Sequence, residues 1–135
     1  MSINEMREIL SKKKFAVVGS FKNESKVAYQ VVQDLLLRGY DVYPVNPNIK
    51  EILGLNVYAS VKDLPDDIEA IDIVTQPEIT EKIVQDCKDR GIKYIWIQPG
   101  AESDNSIKFC EDNGLYCVHD ECIMAYRFHI SSFDK

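Results

Sequence analysis

The chain has 135 residues, 45% of them hydrophobic, and a formal net charge of −6 from 16 Lys plus Arg against 22 Asp plus Glu. That length suits one domain over residues 1–135, and the apolar content is too high for a disordered chain. The acidic balance argues against nucleic acid as the main partner, because binding a phosphate backbone needs a broad basic face; a small phosphorylated ligand needs only a few N–H groups and one or two lysines.

The opening MSINEMREILSKKK holds no apolar secretory segment, and no apolar run approaches a membrane span. The expectation is a cytoplasmic protein with no membrane partner. Asn4 is placed to cap a short helix with Met6, Ile9 and Leu10 on one side. Lys12, Lys13 and Lys14 fall at its end, where positive charge suits the helix dipole.

Residues 15–37 organise the rest. Phe15-Ala16-Val17-Val18 is a continuous apolar run, the mark of a strand covered on both faces. Gly19 and Ser20 break it, and a polar loop follows with Lys22, Asn23, Glu24, Ser25 and Lys26. An amphipathic helix comes next, its pairs Val27/Ala28, Val31/Val32 and Leu35/Leu36 recurring every four residues, with Gly39 as its stop. Strand, glycine loop and helix form the opening unit of a nucleotide-binding α/β domain. The N–H groups of the loop and first helical turn make an anion site.

The second strand is Val42-Tyr43-Pro44-Val45, closed by Asn46-Pro47-Asn48. Pro44 belongs where its missing N–H is not needed. Residues 49–53 read as a short helical crossover ending at Gly54, Val57-Tyr58 as a brief edge strand, and residues 60–64 as a helical turn. Ile71-Asp72-Ile73-Val74 is another buried strand. Pro77 then opens a helix with the inner stripe Ile79, Ile83, Val84 and Cys87, ending at Gly91. Tyr94-Ile95-Trp96-Ile97 is the next strand, with Trp96 in the core. Ser103 caps a helix carrying Ile107 and Cys110, ending at Gly114, and Leu115-Tyr116-Cys117-Val118 is the last strand. The tail holds a further helical turn or two. Its apolar side chains Ile123, Met124, Tyr126, Phe128 and Ile130 are divided between packing on the sheet and a homodimer patch.

This alternation implies an α/β Rossmann-like three-layer fold with a parallel sheet in the order 3-2-1-4-5-6 and right-handed crossovers. Ligands bind such sheets beyond the carboxyl ends of the strands, where the order reverses. Residues 19–26, 46–50, 75–78 and 98–101 lie at that edge.

Two tests bear on the ligand. Gly19-Ser20-Phe21-Lys22-Asn23-Glu24 is not the G-x-G-x-x-G of dinucleotide enzymes. At the end of the second strand, where NAD sites place a carboxylate for the ribose, the chain has Asn46, with Lys50 nearby. Asn and Lys accept phosphate where a carboxylate repels it.

The ordered set VVGS…K at 17–26, GYDVYPVNPN at 39–48, LG…VYASVKDLP at 53–65, PE at 77–78, WIQPGAES at 96–103 and GLYCVHDEC at 114–122 resembles the small stand-alone CoA-binding proteins. These are similar to the N-terminal CoA-binding domain of the succinyl-CoA synthetase α-subunit. The resemblance implies a Rossmann-like domain with CoA or acyl-CoA as its ligand. It places Gly19, Ser20 and Lys26 at the nucleotide phosphates and Val45, Asn46 and Pro47 at the adenosine end. Thr75, Gln76 and Pro77, with Gln98, Pro99 and Gly100, line the crevice toward the pantetheine arm. Lys22, Ser25 and Lys50 complete the candidate cofactor-binding set. The chain departs from the family pattern twice: no arginine follows Val74-Thr75-Gln76, and Asp120-Glu121-Cys122 stands where an Asp-Arg-Cys run is usual.

Plainer readings stay open for several of these residues. Lys22 and Lys26 also fit as solvated lysines, Asn46 as a turn cap before Pro47, and Gln98 as a loop residue. Asp66 and Asp67 read as solvated loop carboxylates. Four cysteines, Cys87, Cys110, Cys117 and Cys122, form no C-x-x-C pair and are expected as free thiols. Cys117, His119, Cys122 and His129 match no standard zinc spacing, so no metal is expected. Cys122 as a nucleophile needs a base, and His119 is the one close in sequence. No serine elbow, Walker lysine loop or carboxylate pair is present. The leading reading is therefore a non-catalytic CoA or acyl-CoA binding module acting as carrier, sensor or partner subunit. The alternative is an NAD(P)-binding oxidoreductase or an acyl-transfer component.

Overall fold

In the computed structural model, residues 3–126 are described. The chain runs through α1 (Ile3–Leu10), β1 (Lys14–Gly19), α2 (Val27–Leu37) and β2 (Asp41–Val45). A small hairpin follows, β3 (Glu51–Ile52) and β4 (Leu55–Asn56), then a 3₁₀ turn over Val61–Asp63. The second half is β5 (Ala70–Val74), α3 (Pro77–Arg90), β6 (Tyr94–Ile97), α4 (Asp104–Asp112), β7 (Tyr116–Val118) and a 3₁₀ turn over Ile123–Tyr126.

The apolar runs become a parallel five-stranded sheet ordered β2-β1-β5-β6-β7. Val57-Tyr58 contributes a single parallel bridge, Tyr58 to Val45, outside β2. With that bridge as the remnant of a sixth strand, the sheet has the expected 3-2-1-4-5-6 order. Pro44 faces this outer edge: its carbonyl accepts from Tyr58 N–H at 2.9 Å, so its nitrogen points away from β1.

Both faces of the sheet are covered, which is why its strands are mostly apolar, with Asp72 the buried exception in β5. On one face Phe15, Val17 and Trp96 pack against α1 and α2 through Met6, Ile9, Val31 and Leu35. On the other, Ala16, Val18, Ile71, Ile73, Ile95 and Ile97 pack against α3 and α4 through Val84, Cys87 and Cys110. Ile123 is fully buried on the first face, and Met124 and Tyr126 are packed against it. Phe128, His129 and Ile130 lie outside the described residues.

Three side chains fix the chain after β7. Trp96 donates its indole N–H to the Glu121 carbonyl at 2.7 Å. Gln98 accepts from Ile123 N–H at 2.9 Å, and Arg38 donates to the Ile123 carbonyl at 3.2 Å.

Several local expectations are corrected. Residues 49–53 do not form a helical crossover. Ile52-Leu53-Gly54-Leu55 is a tight hairpin turn with φ of 48° at Leu53 and 77° at Gly54, the two left-handed residues of a type I′ turn. Asn4 lies within the first turn of α1, which already runs from Ile3. Lys14 opens β1 and pairs at the surface with Asp67, and Asp66 pairs with Arg90 at 3.0 Å, both loop carboxylates staying exposed as expected. Ile79 is 51% exposed, and the buried position in that turn of α3 is Thr80. Pro77 at the start of α3 and Ser103 as the cap of α4 stand where expected, the latter in a capping box with Ser106.

Candidate functional site

The register aligns the carboxyl ends of three strands at the point where the sheet order reverses. Val18 sits beside Val45, and Gly19 beside Val74. A cleft of about 760 Å³ opens there, within the range of small-molecule sites. All four expected segments contribute to it. Gly19, Ser20 and Lys26 come from the β1–α2 connection, and Val45, Asn46, Pro47 and Asn48 from the end of β2. Thr75, Gln76 and Pro77 come from the β5–α3 connection, and Pro99, Gly100 and Ala101 from the turn after β6.

Gly19 is a glycine for packing. Its φ is not in the left-handed region, but a Cβ there would lie 2.6 Å from Ala28 Cβ and 2.8 Å from the Val74 carbonyl oxygen. The bare backbone lets the first turn of α2 settle onto the ends of β1 and β5. Phe21, buried near the start of the loop, anchors it to the α1/α2 face of the core.

The first turns of α2 and α3 both line this cleft. Their N-cap residues, Lys26 and Gln76, make no side-chain cap bond, in contrast to Ser103 of α4. Lys26 is the one charged side chain lining the cleft among the described residues; no carboxylate lines it. A lysine beside the opening turns of two helices, with no acid facing them, suits a ligand with several negative charges.

Asn46 ties the two halves of the rim together. Its Nδ2 donates to the Gly19 carbonyl at 2.7 Å, and its Oδ1 accepts from Asn48 N–H at 2.7 Å. On the opposite wall the Thr75 and Thr80 hydroxyls are 2.7 Å apart, and Thr80 Oγ1 donates to the Gln76 carbonyl at 3.3 Å.

Four candidate residues stand off the cleft. Lys22 and Lys50 are exposed and do not line it. Ser25 turns back on Asn23, with both its N–H and its hydroxyl donating to Asn23 Oδ1. Gln98 is 2% exposed and holds Ile123 N–H and the Cys122 thiol, the latter at 3.3 Å. In their place the cleft gains Val27 and Ile79, 44% and 51% exposed on its rim. In the sequence both read as parts of inner helical stripes, because periodicity does not separate a first-turn rim position from a core one.

No group of three or more metal-ligating side chains gathers among the described residues. Cys122 and His119 are not hydrogen-bonded to each other: His119 faces Asp120 at 2.6 Å, while Cys122 takes the Gln98 amide. Burial pushes the Cys87 thiol far above its usual range, and a hydrogen bond to Cys110, with burial, does the same for Cys117. Neither thiol is poised as a nucleophile.

Residues 13–127 match the CoA binding domain family, and the chain belongs to it. It is 35% identical to an ADP-forming acetate–CoA ligase of Methanocaldococcus jannaschii, over 94% of this chain and 19% of that protein. It is 26% identical to the uncharacterized protein YneT of Bacillus subtilis, over 88% of this chain and 89% of that one. A hypothetical protein from Pyrococcus horikoshii superposes with a TM-score of 0.90 at 36% identity, over 97% of this chain and 93% of that one. The chain spans about a fifth of the length of the ligases it matches.

Proposed function

We propose that this member of the CoA-binding family binds CoA or acyl-CoA in the cleft at the carboxyl ends of β1, β2 and β5, as a non-catalytic carrier, sensor or partner subunit. The observation that carries this reading is the electrostatics of the cleft. Lys26 is its one charged lining residue among those described, and Asn46 stands where a ribose-binding carboxylate would exclude phosphate. The phosphates meet Gly19, Ser20 and Lys26 and the first turn of α2. The adenosine end lies against Val45, Asn46 and Pro47. The arm runs along Thr75, Gln76, Pro77, Pro99 and Gly100.

The non-catalytic reading rests on the cleft itself, where no acid–base pair or activated nucleophile lines the walls among the described residues. The partner-subunit reading draws on relatives in which the matching region is a fraction of a longer ligase, including an α subunit of an acetate–CoA ligase from Pyrococcus furiosus. Mass spectrometry of protein purified under native conditions tests the assignment. A retained CoA or acyl-CoA supports it, and a retained nicotinamide dinucleotide overturns it.

A further inference from the structure

We propose that the outer edge of β7 is a docking strand for an extended, basic segment of a partner protein, which adds to the sheet by strand pairing. This surface shares no lining residue with the CoA cleft, so the proposal stands apart from that reading. β7 ends the sheet, with no strand beyond it among the described residues. Tyr116 N–H donates to the Lys93 carbonyl at 2.8 Å, toward β6. Backbone groups alternate in direction along a strand, so Cys117 turns its N–H and its carbonyl outward. The two edges of the sheet differ in their protection. At β2, Pro44 withholds a donor and Tyr58 bridges the strand from outside. β7 carries neither a proline nor a lysine, two common guards of an edge.

A groove of about 470 Å³ follows this edge. α1 forms one wall with Glu5, and α4 forms the other with Ile107 and Glu111. The side chains of β7 divide between the two sides: Val118 packs in the core beneath α1, and Cys117 in the core beneath α4. Leu115 and the exposed Tyr116 give the groove apolar surface. Two carboxylates line it, and no lysine or arginine does so among the described residues. Charge therefore selects the occupant. A second copy of the chain would bring two acid-walled grooves together, on molecules that each carry a net charge of −6. A segment in which lysine or arginine alternates with β-branched residues meets acid on the walls, apolar surface between them and the Cys117 backbone at the edge.

NMR titration of the isotope-labelled full chain with the peptide acetyl-Lys-Val-Lys-Val-Lys-amide tests this. The expected result is saturable shifts centred on the Cys117 amide, with slower hydrogen exchange there. Methylating every backbone nitrogen of the peptide should weaken binding by about tenfold or more, because the ladder bonds lose their donors. The same peptide with Glu in place of Lys should not bind. Glu111→Lys, a change at an exposed position of α4, should weaken the lysine peptide by about fivefold. No shift at Cys117, equal binding by the methylated or the glutamate peptide, or an unchanged affinity in Glu111→Lys would overturn the proposal. So would a Cys117 amide protected in the chain alone and indifferent to peptide, the mark of a second copy at this edge.

Discussion

The side-chain amide of Asn46, at the end of β2, donates to the carbonyl of Gly19, at the end of β1, at 2.7 Å, and accepts from its own loop at Asn48 N–H. The two strand ends that flank the switch point are thus joined by one side chain that uses both its donor and its acceptor. Asn46 shapes the rim as a positioning residue, whatever else it touches.

Asn46→Asp keeps the acceptor, loses the donor and places a carboxylate at the proposed adenosine end, where it would face the extra phosphate on the CoA ribose. CoA affinity should fall by at least about tenfold, since a charged repulsion joins the lost bond. Asn46→Ala should cost about 1–2 kcal/mol of stability for a part-buried hydrogen-bond pair. Titration and denaturant unfolding check both. An Asp variant with undiminished CoA affinity would remove Asn46 from the adenosine end of the ligand.

Gly19 has no room for a side chain, with Ala28 Cβ at 2.6 Å and the Val74 carbonyl at 2.8 Å from a built Cβ. Gly19→Ala should destabilise by about 1–3 kcal/mol, as overpacking does. Adding Ala28→Gly should recover part of the loss, because it relieves one of the two contacts. If Gly19→Ala alone left the unfolding midpoint unchanged, α2 would not be seated as closely on β1 as described.

Lys26 and Lys22 share a loop, and only Lys26 lines the cleft. Lys26→Ala should weaken CoA by about 1–2 kcal/mol, with the difference shrinking at high salt. Lys22→Ala should be within about twofold of wild type, as expected for an exposed lysine off the site. Equal effects of the two substitutions would place the phosphates elsewhere.

Much of the fold is legible in the sequence, because apolar runs ending at Gly39, Gly91 and Gly114 mark where each helix hands over to a buried strand. Residues 49–53 misled, since Ile49, Ile52 and Leu53 are spaced as a helical face while the backbone turns through a left-handed Leu53. The cleft is legible in outline through the strand ends. Gln98 is not, because its role is fixed by contacts with Cys122 and Ile123, more than twenty residues away in sequence. Lys22, Ser25 and Lys50 fall in the right loops, but which way a loop side chain turns depends on neighbours such as Asn23, not on its residue type.

Asp72 is legible as a member of a buried strand, but its lack of a partner is not. It lies between Val17 and Trp96 in the sheet, fully buried, and both its carboxylate oxygens lack a hydrogen-bond partner among the described residues. Burial raises its pKa well above the ordinary carboxylate range, with Arg38 pulling weakly the other way. The folded state therefore holds a proton that the unfolded chain releases, and stability falls as pH rises from the unfolded Asp range toward the folded value. Asp72→Asn, which mimics the neutral acid, should gain stability relative to wild type at pH near 7.5 and lose that advantage near pH 4. An equal difference at both pH values by denaturant unfolding would mean that Asp72 titrates alike in both states.

Calorimetric competition among CoA, ADP and NAD on the purified chain tests the proposed CoA site most directly. CoA should bind more tightly than either of the others, because only it combines the additional phosphate suited to Lys26 and Asn46 with an arm for the Thr75 wall. NAD binding as tight as CoA, or tighter, would contradict the assignment.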